Sequence, residues 1–336
     1  MNSRAPIKMM SCKPLLIQSL ISLGVSISSP LWAAESSAFP VRPVRWVVPY
    51  PAGGGIDVVA RLIANRLSGT WGQQIVIDNR LGAGGRLGTQ AVIGAVPDGY
   101  TQLMTINTNY TMDRSLFKSL GYDPEKALTP ITITASVAQL LISNYAFRAK
   151  NVKELIALAK ARPNEIIYGS SGAGSSLHLA MELFKSETGI RLTHVPYKGG
   201  IVALPDLISG QIQIMFISAP AGAPFIKSGK VRALGISTAK RSIQLPEVPT
   251  IAESGVPDFK IDGWYGLSVP MGSPAAVVRK TYQDVSQILA LTDVSKQLLS
   301  IGTDPVVITP EETAKRIRTE TATWAKVIRG SSMKFE

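Results

Sequence analysis

From residue 44 the chain alternates short apolar runs with longer segments whose apolar residues recur every three or four positions. Arg45-Trp46-Val47-Val48 is a run of strand length closed by Pro49. Val59, Leu62, Ile63 and Leu67 then fall at i, i+3, i+4 and i+8, one face of a helix. Gln74–Ile77 predicts a second strand, ending at Asp78-Asn79-Arg80 and the glycine-rich LGAGGRLG. A small-residue helix is expected over Thr89–Ala95, stopped by Pro97-Asp98-Gly99, and a third strand over Tyr100–Ile106. Strand–helix alternation of this kind predicts parallel-type α/β sheets.

A second series begins near Leu140. Asn151–Arg162 carries a helical face and stops before Pro163. Ile166-Ile167-Tyr168 reads as a strand, GSSGAGSS as a small-residue loop and Leu177–Thr188 as a helix. Further strands are expected over Thr193–Val195, Gln213–Ile217 and Lys230–Ser237. The last third returns to a strand (Gly266–Val269), a long helix (Pro274–Leu291) and a C-terminal helix (Pro310–Ile328). The two series share a plan but no sequence repeat.

The N-terminus follows a different pattern. Arg4, Lys8 and Lys13 precede the apolar, serine-rich PLLIQSLISLGVSIS, and PLWAAE ends the segment on small residues. This is the pattern of a secretory signal peptide over residues 1–34, cut near Ala33 or Ala34, and the apolar stretch is too short for a membrane anchor. The chain's one cysteine, Cys12, lies in that leader, so the mature protein is expected to have no disulfide, no thiolate chemistry and no cysteine-based zinc site. With only His178 and His194 as imidazoles, neither a metal nor a cofactor is expected. An exported, cysteine-free chain points to the periplasm.

About 300 mature residues suggest two domains. Removing the three leader cations lowers the formal net charge from +12 to +9. The remaining Lys and Arg are scattered without aromatic interleaving, which argues against nucleic-acid binding and for a field that gathers small anions.

One unit occurs twice: a strand, a loop of Gly, Ala and Ser, then a helix start. It reads VVPYPAGGGID in the first series and IIYGSSGAGSS in the second. The first N–H groups of a helix have no internal partner and carry partial positive charge. A loop without Cβ atoms lets an anion approach them closely, and Ser170, Ser171, Ser175 and Ser176 add hydroxyl donors. Neither copy has the G-K-[ST] of a phosphate loop. The dinucleotide pattern G-x-G-x-x-G fails in LGAGGRLG and again at Gly172–Leu177. A carboxylate, which accepts several N–H bonds, is the expected anion.

Several longer stretches resemble the substrate-binding proteins of tripartite tricarboxylate transporters, the Bug receptors of Bordetella. They are VVPYPAGGGIDVVARLIANRL, GQQIVIDNRLGAGGRLGTQAV, PDGYTQLM, GSSGAGSSLHLAMELF, HVPYKGG, PDLISGQIQIMF, LPEVPTIAESGVPDF and GWYGLSVPMGSP. The resemblance covers essentially the whole mature chain. It implies an α/β, two-domain periplasmic-binding-protein-like fold of type II, each domain a central mixed sheet flanked by helices. Residues 35–138 with 260–336 would form one domain and 139–259 the other. It also implies a monomer that captures a di- or tricarboxylate, or an aromatic acid, and delivers it to permease subunits rather than catalysing a reaction. The glycine turns would be carboxylate pincers: Gly53, Gly54, Gly55 and Asp57 in one, Ser170, Gly172, Gly174, Ser175 and His178 in the other, with Tyr197 and Gly199 bordering the cleft; Ala52, Ile56 and Ser171 of the same loops complete the expected ligand-binding set. Ile56 stands where the family often has Thr or Ser, which makes that wall more apolar.

Single residues carry two readings each. Asp57 is a helix cap and loop organiser, or a partner for a ligand ammonium. His178 reaches the pocket or bonds across its own loop, and His194 is structural. Asn107, Thr108 and Asn109 follow a strand end, where open α/β sheets place ligands, and Ser218 does the same in the second series. Tyr50 and Tyr197 flank the anion loops as contacts or as packing groups. Trp264-Tyr265 is expected ahead of a strand, in the core. Two other functions share the sequence: a carboxylate sensor acting on a signalling partner, and a serine hydrolase. Gly169–Ala173 is one residue from G-x-S-x-G and His194 lies downstream, but no acid is placed as that fold requires.

Overall fold

The computed structural model describes residues 39–329, so the leader expected over 1–34, with Cys12, lies outside the described residues. The first series runs β1 (Val44–Val48), α1 (Gly55–Trp71), β2 (Ile75–Asn79), a 3-10 turn at Ala83–Gly85, α2 (Arg86–Ile93) and β3 (Thr101–Ile106). Three short helices follow, α3 (Asn107–Thr111), α4 (Asp113–Leu116) and α5 (Pro124–Ala127), and then a ten-residue strand, β4 (Leu128–Val137). The second series is β5 (Gln139–Asn144), α6 (Val152–Ala161), β6 (Ile167–Ser170), α7 (Ser176–Thr188), β7 (Thr193–Pro196), α8 (Gly200–Ser209), β8 (Ile214–Ser218), α9 (Ala219–Lys227) and β9 (Val231–Ile236). The chain then returns through β10 (Gly263–Pro270), α10 (Ala275–Ala290), α11 (Thr292–Ser300), β11 (Thr303–Pro305) and α12 (Pro310–Arg329).

The strands form two sheets. The first has the order β11-β4-β10-β3-β1-β2 and the second β7-β6-β8-β5-β9. Each has a parallel core, β2-β1-β3 in one and β7-β6-β8 in the other, completed by antiparallel strands. The alternation predicted parallel sheets; both are mixed, because β10 enters the first sheet antiparallel to β3 and β4, and β5 enters the second antiparallel to β8 and β9. The apolar stripe of α1 buries Val59, Ile63 and Leu67 against the first sheet, with Trp46 beneath them, while Arg61 and Arg66 face water. In the second lobe Phe184, Phe216 and Phe259 interlock with ring centroids 5.9–6.5 Å apart.

Ala138 alone separates β4 in the first sheet from β5 in the second. On the return path Gly263 pairs with Val137 across the crossing. The buried Ser237 hydroxyl joins the two paths: it accepts from Gln139 N–H at 3.0 Å and donates to the Ile261 carbonyl at 2.8 Å.

Some elements differ from expectation. Pro205 lies inside α8 and Pro224 inside α9, where proline costs an isolated helix about 3 kcal/mol. Both helices persist on buried faces, Ala203, Leu204 and Leu207 in one, Ala219, Ala221 and Ala223 in the other. Asn107–Asn109, expected beyond a strand end, form the start of α3, and Trp264-Tyr265 lie within β10 rather than ahead of it.

Candidate functional site

Five strands end at one place, and a helix starts just beyond each. Gly54 caps α1 after β1, Ile106 caps α3 after β3, Ser175 caps α7 after β6, Gly199 caps α8 after β7 and Ser218 caps α9 after β8. Residues from all five beginnings line a single cavity of about 60 Å³: Gly55, Asn107, Ser176, Gly200 and Ser218 among them. Its floor comes from the crossing strands, through Val137, Gln139, Gly263, Trp264 and Tyr265. Among the described residues, none that lines it is Asp, Glu, Lys, Arg or His. The field inside is therefore set by helix ends, whose partial positive charges add where they converge.

The first glycine turn is held by acids and amides. Gly53, with φ +77°, donates its N–H to Asp57 Oδ2 at 2.9 Å, and the same oxygen receives Arg61 Nε at 2.8 Å. Asn79 Nδ2 donates to Asp57 Oδ1 and to the Tyr50 carbonyl, which ties the loop to β2. Burial opposes ionisation of Asp57, but the bonds from Arg61, Asn79 and Gly53 outweigh it and lower the carboxyl below its ordinary range. Behind this turn, Asn109 is fully committed. Its Oδ1 accepts from Tyr50 OH and Thr105, and its Nδ2 donates to the Gly84 carbonyl and to Asp113 Oδ2. Burial pushes Asp113 up to about 7 against the bond from Asn109 and the charge of Arg86.

The second turn is held by imidazoles. Ser175 accepts from His178 N–H as the cap of α7, and Gly174 N–H donates to His178 Nδ1 at 3.0 Å. His178 Nε2 faces Glu182 at 3.5 Å. Burial would raise Glu182, but His178, Lys185 and Tyr168 donate to it and bring it down to about 2. His194 stacks on His178 with ring centroids 3.9 Å apart and on Tyr168 at 4.8 Å. Burial, then the neighbouring His178, lowers His194 to about 4, so its ring is neutral. Its Nε2 lies 2.7 Å from Ser170 Oγ, which accepts from Gly172 N–H. The serine beside the histidine is thus Ser170, buried in its own turn, whereas Ser171 faces the cavity.

The lobes approach closely over the cavity. A Cβ on Gly55 would lie 2.3 Å from Ser218 Oγ and 2.7 Å from Tyr265 OH. On Gly199, at φ +154°, it would lie 2.3 Å from Pro51. Only glycine permits either contact. Outside the cavity a hollow of about 240 Å³ is bordered by Gly82–Arg86, Ser171, Gly172, Tyr197 and Lys198.

Of the residues singled out from sequence as ligand groups, Tyr50, Gly54, Gly55, Ile56, Asn107, Ser171, Ser176 and Ser218 border the cavity, and Trp264 and Tyr265, expected in the core, border it too. Ala52 and Gly53 form the exposed tip of the first loop. Asp57, Thr108, Ser170, Gly174, Ser175 and His178 stand behind the lining as supports, while Gly172 and Tyr197 border the outer hollow and Gly199 meets Pro51. Tyr197 OH donates to Asp206 at 2.5 Å. The floor was not anticipated. Gln139 and Tyr265 reach the cavity only because the crossing strands bring them there, and no local motif marks them.

Residues 59–333 match the family described as "Tripartite tricarboxylate transporter family receptor". The chain belongs to that family. Solved structures agree. The periplasmic binding protein BugD superposes with a TM-score of 0.85 at 32% identity, covering 89% of this receptor and all of BugD. Rpa4515 of R. palustris, solved with adipate, gives 0.84 at 37% identity, covering 87% of this receptor and 97% of that chain. MatC of Rhodopseudomonas palustris, with bound malate, gives 0.82 at 33%, covering 86% of this receptor and all of MatC. The receptor therefore has the two-domain α/β fold of periplasmic binding proteins with a solute-binding role, as the resemblance implied.

Proposed function

We propose that this receptor captures an organic carboxylate in the cavity between its lobes and delivers it to the membrane permease of a tripartite tricarboxylate transporter. The moving bodies are residues 35–138 with 260–336, and residues 139–259. The receptor works in the periplasm as a monomer, after removal of the leader near Ala33 or Ala34, and uses no metal, cofactor or nucleic acid. The observation that carries the reading is the convergence of the beginnings of α1, α7 and α8 on one chamber whose lining, among the described residues, has no charged side chain. Main-chain amides offer an acid several donors whose positions are fixed before it arrives. Adipate in Rpa4515 and malate in MatC support the same ligand class.

The pincer consists of Gly54, Gly55 and Ile56 on one side and Ser171, Ser176 and Leu177 on the other, with Asn107 and Ser218 as side-chain donors. An acid that touches both lobes binds the closed form better than the open one and shifts the population toward it. A thermal-shift screen of organic acids against their neutral amides tests the reading. The melting point is expected to rise with acids alone, since only a ligand of the native state raises it. Equal shifts from acids and amides would refute it. Uptake of the acid identified in this way should then disappear when the gene is deleted.

A further inference from the structure

Three of the helix beginnings repeat one pattern. In α1, α7 and α8 the first helical residue is small (Gly55, Ser176, Gly200) and the second is a large aliphatic (Ile56, Leu177, Ile201), and all six line the cavity. The small residue uncovers the amides, and its neighbour walls their flank with hydrocarbon. Ile106, Val137, Ile217 and Trp264 continue that wall. A second ionised group would have to shed its water against these side chains with no cation to meet it.

Gln139 is an independent observation. It is 4% exposed and lines the cavity from the crossing strand, and its Oε1 is buried without a hydrogen-bond partner. This bare acceptor oxygen offers no donor to a second carboxylate and repels it.

We propose that the receptor is built for a monocarboxylic acid with an apolar body, the head on the helix amides and the body against Ile56, Leu177 and Ile201. This rests on the carboxylate-receptor reading above and narrows it away from compact di- and tricarboxylates.

Calorimetry on the mature chain tests the idea with benzoate, phenylacetate and hexanoate set against succinate, malate and citrate, and with benzamide as the neutral control. The best monoacid is expected to bind at least tenfold more tightly than any diacid or triacid. Ile56→Thr is expected to shrink that ratio below threefold; should it fail to fold, Ile201→Ser replaces it. Malate or succinate binding as tightly as the best monoacid overturns the proposal and leaves the carboxylate reading standing. Benzamide matching benzoate overturns the carboxylate reading, and the proposal with it. No binding by any of the three monoacids overturns the proposal, as does an unchanged ratio in the folded variant.

Discussion

Behind the first glycine turn stands Asp113, which burial holds close to neutrality and Asn109 links to Gly84 and, through a shared oxygen, to Tyr50. Behind the second stands a pair of stacked imidazoles, one accepting Gly174 N–H and the other facing Ser170. Both networks present main-chain amides to the same chamber, yet they respond to acid in opposite senses. His194 titrates below its ordinary value, so its contribution is full above pH 6.5 and is lost as pH falls toward 4. Asp113 titrates above its ordinary value, so its contribution is present below about pH 3.8 and is lost as pH rises toward 7. Between pH 4 and 6.5 the two slopes offset each other. Nearly the same cap backbone, φ −68° and ψ 158° at Gly54 against φ −68° and ψ 161° at Ser175, is held by unlike supports, so the turns can be disturbed one at a time.

The largest expected effect separates the first helical residues of the two turns. Gly55→Ala places a methyl against Ser218 and Tyr265 and should lower acid affinity about a hundredfold, about 2.7 kcal/mol by calorimetry. Ser176, its counterpart, already carries a Cβ, so Ser176→Ala should change affinity by less than about threefold. Equal losses would abolish the asymmetry. Next comes acid stability. His194→Gln should flatten the fall in melting temperature between pH 6.5 and 4, a change of a few degrees by calorimetric scan. Asp113→Asn should do the reverse, raising the melting temperature at pH 8 by a smaller amount and leaving it unchanged at pH 4. A variant that shifts stability equally at all pH values would show that its side chain acts by packing alone. The smallest effect concerns the caps. Ser175→Ala should cost about 1 kcal/mol in urea unfolding by freeing His178 N–H. The corresponding cap of α1 is Gly54, which has no side-chain bond to lose.

Legibility followed locality. The two turns could be read because strand, glycines and helix start are contiguous in the chain, and Gly54, Gly55 and Ser171 duly border the cavity. The supports were half legible. Asp57 could be suspected as a loop organiser from its place in the first helical turn, but nothing near it announces Asn79. His178 and His194 lie 16 residues apart, and only the parallel pairing of β6 with β7 brings them together. The floor was not legible at all, because Gln139 and Tyr265 sit on strands from distant parts of the chain. α8 and α9 were hidden by their prolines, whose local signal argues against the helices that burial enforces.

Ser237 has a mechanical consequence. One hydroxyl bonds both connecting paths, so neither can slide along the other without breaking a buried bond. Any relative motion of the lobes that keeps both bonds is a rotation about that point. In such a lever a small angle at the pivot becomes a wide gap at the rim, where Pro51 meets Gly199. Under the delivery role proposed above, the rim is the surface from which a permease would read whether the chamber is filled.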